Sequence, residues 1–174
     1  MTYPARPYAG SLWRMIHPAR QRAVYSGEGA RLYGGRWNMK GWPALYLAVD
    51  HVTAVAEYYQ GLPKPGMLVP YRIEAQAITD LTDGRGSRVD DRVAGALAAD
   101  WKRIAALDGQ VPPSWALAQE MIATGVKGAL VPSAQNRGGT AVILWRWREV
   151  NRPGEGAVLA VLDSANTLAG SGLA

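Results

Sequence analysis

Residues 27–41 read Gly27-Glu28-Gly29-Ala30-Arg31-Leu32-Tyr33-Gly34-Gly35-Arg36-Trp37-Asn38-Met39-Lys40-Gly41, and the rest of the chain is organised around them. Five glycines with interleaved arginines and aromatic residues make a segment that is poor as helix and poor as strand. Glycine backbone allows a ligand to approach closely, and the arginine and aromatic side chains can bind it. We therefore predict an irregular segment that closes around a ligand.

The length and composition predict one globular domain. At 174 residues, with 48% hydrophobic composition, the chain is long enough for a single core and needs no linker. It contains no apolar run long enough to span a membrane, and residues 1–6 lack the apolar stretch of a secretory signal. We therefore expect a cytoplasmic protein with no membrane partner.

The residue types exclude several kinds of chemistry. Cysteine is absent, and the histidines are His17 and His51, so disulfides, thiol nucleophiles and His-rich metal sites are excluded and we expect no metal. Catalysis must then use Arg, Tyr, Glu, Asp, Ser or Lys. The formal charge of +5 and the pI near 9.7 indicate an anionic partner, which could be a nucleic acid, a phosphorylated metabolite or an acidic protein.

A strand is predicted before the glycine-rich segment. Leu12–Ile16 is a short apolar run in which Arg14 faces away from Trp13 and Met15. An arginine within a strand needs an explanation, and the simplest one is an edge strand with Arg14 in solvent.

The segment that follows brings two polar side chains together. Residues 43–49 have period-two alternation, which predicts a strand with Tyr46 facing away from the apolar layer. Asp50 is the expected N-cap of a helix over residues 51–60, with Glu57 on a face that is free of large side chains. Strand and helix could therefore bring Tyr46 and Glu57 to one cleft.

The remaining sequence predicts strands and helices in an α+β sandwich with a mixed or largely antiparallel sheet. In chain order we predict one or two strands over Met67–Leu81, a turn at Asp83–Ser87, a helix from Asp90 or Asp91 to Leu107, a helix from Pro113 or Ser114 to just before Gly125, and strands over Gly128–Pro132, Ala141–Trp147 and Ala157–Asp163. Ser133 is left on the loop after its strand.

The glycine-rich segment does not match the common nucleotide-binding motifs. Its glycine spacing differs from that of a Rossmann turn, no amphipathic helix is expected after it, and a Walker A lysine is absent. Glycine-rich backbone with Arg31 and Arg36 still suits a pyrophosphate, because bare amides can approach its oxygens and guanidinium groups can bind them bidentately. The alternative is an irregular loop with surface arginines.

The motifs taken in order resemble a known family. They are Leu12-Trp13-Arg14 in a strand, Gly27-Glu28-Gly29-Ala30, Gly34-Gly35-Arg36-Trp37-Asn38, Tyr46 in a strand, Glu57 in a helix, and Val131-Pro132-Ser133. This order resembles the RES domain, named for its Arg, Glu and Ser. The resemblance covers nearly the whole chain, so we predict one RES-like domain over residues 1–174, with its core at about 12–163 and a flexible tail at 164–174.

The resemblance implies a fold, an activity and a site. RES proteins are typically toxins of bacterial toxin–antitoxin pairs, with an ADP-ribosyltransferase-like fold that consumes NAD. By position, the implied catalytic residues are Arg14, Tyr46, Glu57 and Ser133. The implied NAD-binding residues are Arg31, Arg36, Trp37, Asn38, Tyr46 and Ser133.

The implied roles agree with the chemistry of NAD cleavage. Breaking the nicotinamide–ribose bond develops positive charge on the ribose, which a carboxylate such as Glu57 can stabilise. The Tyr46 ring can stack on nicotinamide, and arginines can bind the pyrophosphate. Ser133 could bind phosphate or orient the nucleophile. Which of Arg14, Arg31 and Arg36 performs which task stays open.

The acceptor of ADP-ribose also stays open: water, inorganic phosphate or a side chain of a target protein. The resemblance implies a cognate antitoxin that occludes the active site. The competing hypothesis is a nucleic-acid-binding module without catalysis, in which residues 145–148 (Trp-Arg-Trp-Arg) contact phosphates and stack on bases. The simpler interpretation of that run is a strand with both tryptophans packed on a helix and both arginines in solvent.

Overall fold

A computed structural model describes residues 3–82, 90–165 and 168 of the chain. Its elements are β1 (Ala5–Ile16), α1 (Glu28–Tyr33), β2 (Leu45–Ala48), α2 (His51–Tyr59), β3 (Met67–Asp80), α3 (Asp91–Ala98), α4 (Trp101–Ala106), α5 (Pro113–Ala123), β4 (Gly128–Pro132), β5 (Thr140–Leu144), β6 (Trp147–Glu149) and β7 (Ala157–Val161), with a 3-10 turn at Pro18–Arg20. The predicted turn at 83–87 and most of the predicted tail at 164–174 lie outside the described residues.

The sheet closes on itself through β1. This strand pairs antiparallel with β3 from Ala5 opposite Thr79 to Ile16 opposite Met67, and it also pairs with β2 where Trp13 lies opposite Ala48. β2, β5 and β4 are antiparallel neighbours, and β4 lies parallel to the end of β3. β3 pairs with β4 at residues 78–80 and, along the same edge, with β7 at residues 71–74. β6 runs parallel to β7. The predicted α+β class, with a mixed and mainly antiparallel sheet flanked by helices, is confirmed.

Period-two alternation divides the apolar side chains between two cores. On β5, Val142 and Leu144 belong to a core made by the strands, together with Leu12, Leu45 and Tyr71. The alternate residues of β5 lie in a second core between the sheet and helices α3 and α5. That core contains Ala129, Val131, Ala141 and Ile143 from the strands and Val93, Ala96, Leu117, Ala118 and Met121 from the helices.

Part of the glycine-rich segment is helical, so the prediction that it is poor as helix is wrong for residues 28–33. Those six residues include Glu, Ala, Arg and Leu, which favour helix strongly enough to outweigh Gly29. The helix ends at Gly34, whose φ of 72° is a conformation that glycine adopts without strain. Gly27 and Gly34 thus stand at the two ends of a short helix, and the segment then continues to β2.

The predicted helix from residue 90 or 91 to 107 is broken in two, which makes that prediction wrong in its extent. The backbone of Ala99 is extended, with φ −64° and ψ 137°, and the Asp100 carboxylate accepts a hydrogen bond from the Arg103 amide at 3.2 Å to begin α4. A helix-capping aspartate inside an apolar periodic pattern therefore marks the end of one helix and the start of another.

The predicted strand over residues 141–147 is also broken. The amides of Trp145 and Arg146 both donate to the Lys127 carbonyl, and the chain bends there before β6. Trp145 packs in the core beneath the helices, whereas Trp147 packs against the strand core. The simple strand pattern predicted that the two indoles share one packed face. They pack in different cores instead.

No helix among the described residues is both long and apolar enough to cross a membrane.

A pair of glycine substitutions tests this packing. A Cβ on Gly128 would clash with the Ile143 carbonyl and lie 2.7 Å from Leu144 Cδ2, whereas a Cβ on Gly95, exposed within α3, would meet nothing within 4 Å. We predict that Gly128→Ala lowers the free energy of unfolding by about 1–3 kcal/mol. Gly95→Ala should raise it by about 0.5–1 kcal/mol, because alanine favours helix. Urea unfolding measures both values, and equal effects of the two variants would contradict this packing.

Candidate active site

One deep cleft of about 900 Å³ opens beside the glycine-rich segment. Its walls come from β1, α1, β2, α2, the break between α3 and α4, and the loop after β4. The ionisable side chains on its walls, apart from tyrosines, are basic Arg14, Arg36, Lys64 and Lys102 and acidic Glu57 and Asp100. The excess of positive charge makes the cleft suitable for an anionic ligand.

Glu57 is held in the cleft by one of its two carboxylate oxygens. Oε1 accepts hydrogen bonds from the Ser133 hydroxyl at 2.6 Å and the Ala134 amide at 3.0 Å, with a longer one from the Gln135 amide at 3.4 Å. Oε2 accepts none from the described residues. The carboxylate is therefore fixed in orientation and keeps one oxygen for a ligand.

The Ser133 hydroxyl has used its own hydrogen-bonding capacity. Its oxygen accepts from the Asn136 amide at 3.0 Å and from the Gln135 amide at 3.2 Å, while its proton points to Glu57. A hydroxyl has one proton and two lone pairs, so all three are engaged. Ser133 touches Glu57 and lies behind the cleft wall, which Ala134 and Gln135 form instead.

Tyr46 and Asn38 join the glycine-rich segment to β2. The Tyr46 hydroxyl accepts from the Trp37 amide at 3.0 Å and donates to Asn38 Oδ1 at 2.8 Å. Burial raises the pKa of Tyr46, so the hydroxyl keeps the proton that it donates. The Asn38 amide group donates to two carbonyls of the segment, those of Ala30 and Met39, and to the Trp42 carbonyl just after it. Asn38 is thus buried away from the cleft, while the Tyr46 ring lines it.

Gly35 is required where these groups meet. A Cβ at this position would clash with the Tyr46 hydroxyl and lie 2.7 Å from Asn38 Oδ1. Its carbonyl accepts a hydrogen bond from the Trp115 indole at 2.8 Å, which ties the segment to α5. The glycine therefore serves close packing of the segment against β2.

The two arginines of the cleft are held by backbone carbonyls. Arg14 donates to the carbonyls of Val24 and Ser26, both at 3.1 Å, so the expectation of a solvent-exposed edge-strand arginine is wrong. Arg36 Nη1 donates to the carbonyls of Ala96, Leu97 and Ala99 at 2.9–3.1 Å, at the end of α3. Within the described residues, neither arginine forms an ion pair with a carboxylate.

Burial affects both of these guanidinium groups. It lowers the pKa of Arg14, against the opposing influence of Tyr71, and it lowers the pKa of Arg36, against the attraction of Glu57. Because arginine titrates far above neutral pH, both groups stay charged. Two partly buried positive charges without a carboxylate ion-pair partner favour an anion bound in the cleft that both line.

The predicted site residues divide into two groups. Arg14, Arg36, Trp37, Tyr46 and Glu57 line the cleft, whereas Asn38, Ser133 and Arg31 do not. Arg31 is exposed and forms a two-fold hydrogen bond with Glu28 on α1.

Several cleft residues were not predicted from the sequence: Gln60, Lys64, Asp100, Trp101 and Lys102. Asp100 could have been found as a capping residue within its helical pattern, whereas no sequence signal marks Gln60, which ends α2 in the left-handed conformation at φ 46°. The described residues contain no group of three or more His, Asp or Glu side chains placed to hold a metal ion.

The tryptophans proposed for nucleic-acid stacking are engaged within the protein. Trp145 is buried and donates its indole proton to the Trp37 carbonyl, and Trp147 donates to the Tyr25 carbonyl. Arg148 donates to three carbonyls of residues 149–152. Both indole N–H groups of the run are therefore engaged within the protein, and Trp145 is not accessible for stacking on bases.

Comparisons with known proteins find a matching family model, a named relative and a solved structure with the same fold. The model of the RES domain matches residues 11–158. The chain is 26% identical over 127 residues to a protein of Photorhabdus laumondii subsp. laumondii named Toxin Res, covering 72% of this chain and 78% of that protein. A solved chain in the M. tuberculosis MbcT–MbcA toxin–antitoxin complex has the same fold, with a TM-score of 0.54 and 24% identity over 81% of this chain and 76% of that one.

The contacts of Tyr46 generate a stability prediction. Tyr46→Phe keeps the ring but leaves the buried Asn38 oxygen and the Trp37 amide without their partner, which should lower the free energy of unfolding by about 1–3 kcal/mol. Tyr33→Phe is the matched control, because Tyr33 is 71% exposed. Chemical denaturation checks both variants. A Tyr46→Phe protein as stable as the control would contradict the proposed link between β2 and the segment.

Proposed function

The chain belongs to the RES domain family, and from this we propose that it is the toxin of a toxin–antitoxin pair, an enzyme that cleaves NAD at the nicotinamide–ribose bond. The observation that carries the proposal is the carboxylate of Glu57, fixed through Oε1 in a cleft that also holds two arginines without carboxylate partners. NAD combines a cationic nicotinamide ribose with an anionic pyrophosphate, and the cleft has a group for each.

The reaction requires stabilisation of charge on the ribose. The bond between the ribose C1 and the nicotinamide nitrogen breaks, and its electron pair leaves with nicotinamide. Positive charge then develops on the ribose before an acceptor bonds to C1 and releases its proton. In this proposal Oε2 of Glu57 accepts a hydrogen bond from a ribose hydroxyl and stabilises that charge electrostatically.

The other walls of the cleft suit the remaining parts of NAD. Arg14 and Arg36 provide positive charge for the pyrophosphate, with guanidinium groups that can bind phosphate oxygens in pairs. The Tyr46 ring provides an aromatic face for nicotinamide. The volume of about 900 Å³ lies within the range of about 300–1,000 Å³ that is usual for ligand pockets.

Three acceptors for ADP-ribose are compatible with this cleft: water, inorganic phosphate and a side chain of a target protein. They yield free ADP-ribose, ADP-ribose phosphorylated at C1, and a modified protein. Mass spectrometry of the products, with and without phosphate or a bacterial lysate, separates the three.

A cognate antitoxin is part of the proposal. The similar Photorhabdus protein is named a toxin, and the structurally similar chain comes from a toxin–antitoxin complex. An enzyme that depletes NAD would harm the cell that makes it, so we propose a partner that covers the cleft until the toxin acts. An acidic surface on this partner would complement the basic walls of the cleft.

Glu57→Gln tests the proposed role of the carboxylate. Glutamine keeps an oxygen that can accept from Ser133 and Ala134, so the loop should be preserved while the negative charge is lost. We predict that kcat for NAD consumption falls by about 100- to 1,000-fold, as for the loss of a transition-state electrostatic contact. Expression of wild-type protein should arrest growth, and this variant should relieve the arrest.

The matched control for that variant is Glu74→Gln. Glu74 is exposed on β3 and lies outside the cleft, so the same chemical change there should leave NAD consumption unaltered. NAD left intact by wild-type protein, with phosphate and with lysate, would overturn the proposed function. Full activity of the Glu57→Gln variant would contradict the proposed role of Glu57 in NAD cleavage.

A further inference from the structure

A line of hydrogen bonds runs from the first turn of α2, behind the cleft, to Glu57 in the last turn. It begins at Asp50, whose Oδ1 accepts from the Thr53 amide and whose Oδ2 accepts from the Thr53 hydroxyl, both at 2.8 Å. The Thr53 side chain is completely buried. The N-cap thus fixes a buried hydroxyl as well as a helix end.

The direction of these bonds is determined by their chemistry. A carboxylate only accepts, so the Thr53 hydroxyl gives its proton to Asp50 and presents its lone pairs on the other side. There Asn136 Nδ2 donates to Thr53 Oγ1 at 2.8 Å. The Asn136 side chain is therefore held in one orientation by a hydroxyl that is itself held in one orientation.

The backbone of Asn136 continues the line to the cleft. Its amide donates to Ser133 Oγ at 3.0 Å, and that hydroxyl donates to Glu57 Oε1 at 2.6 Å. The loop is closed by backbone bonds of 2.9 Å from the Gly139 amide to the Asn136 carbonyl and from the Ser133 amide to the Gly139 carbonyl.

Gly139 makes this arrangement possible by its lack of a side chain. A Cβ there would clash with Thr53 Oγ1 and lie 2.8 Å from Asn136 Nδ2. The loop backbone therefore lies directly on the buried hydroxyl, and the two ends of α2 are linked through the loop that holds Glu57.

We propose that Thr53 and Asn136 are positioning residues that act through Ser133 on Glu57, an inference that rests on the proposed function. Neither side chain lines the cleft, so neither touches the substrate. Their loss should leave NAD binding unchanged and reduce the rate of the chemical step, because misdirection of Oε2 weakens its contact with the charged ribose of the transition state. A role in stability alone would not separate kcat from KM.

Thr53→Val and Thr53→Ser make the test. Valine has the shape of threonine without the hydroxyl, and we predict that kcat falls about tenfold with KM unchanged, whereas serine keeps the hydroxyl and should restore kcat to within about twofold of wild type. Val52→Thr is the matched control, since it makes the reverse change at an exposed position of the same helix turn. Asn136→Ala should repeat the effect from the loop side if Thr53→Val does not fold.

A second measurement does not depend on NAD turnover. The Ala134 amide proton, which donates to Glu57, should exchange with solvent at least about tenfold faster in Thr53→Val than in wild type or Val52→Thr, because its acceptor and its loop are less firmly held. Unchanged exchange in Thr53→Val would overturn the inference, as would a rise in KM at constant kcat or a failure of serine to restore kcat. If the wild-type protein does not consume NAD, the proposed function is overturned. Amide exchange would then still test whether the hydrogen bonds from Thr53 hold the loop against Glu57.

Discussion

The pairing of β1 on both of its edges is the constraint on which the rest of the structure depends. β1 follows β3 along almost its whole length and meets β2 at Trp13, next to Arg14 in the cleft. This closure brings the wall that carries Arg14 together with the strand that carries Tyr46. It also places α2 so that Glu57 reaches the loop after β4. The cleft therefore exists because the sheet is closed, and its polar groups are positioned by contacts between strands far apart in sequence.

The glycine-rich segment has a larger structural role than its composition indicates. A short helix, the buried Asn38 and the closely packed Gly35 attach it to β2 and to α5. Of its arginines, Arg36 faces the cleft and holds the end of α3, while Arg31 is engaged with Glu28 on the surface. The segment forms one wall of the cleft through Arg36 and Trp37, and most of its other polar groups hold that wall in shape.

Local pattern was sufficient for the elements that carry the site. Alternation predicted β2 with Tyr46 facing away from the strand residues Leu45 and Leu47, and the Asp50 cap predicted α2, with Glu57 on a face free of large side chains. The break at Ala99 has a local signal in the capping Asp100, which the apolar periodicity obscured, and Arg36 adds long-range hydrogen bonds there. The break at Trp145 depends on hydrogen bonds to the Lys127 carbonyl, which no local window contains. For the same reason, the sequence indicated Ser133 and Asn38 as polar residues near the site but not the partners that occupy their hydrogen-bonding groups.

The most direct test of the central claim is a crystal structure of the Glu57→Gln protein with NAD. The substitution slows turnover in this account and should allow the intact dinucleotide to be seen. We predict nicotinamide against the Tyr46 ring, its ribose hydroxyls within hydrogen-bond distance of the residue 57 side chain, and the pyrophosphate at Arg14 and Arg36. NAD bound outside this cleft, or bound with its nicotinamide ribose out of reach of residue 57, would contradict the account.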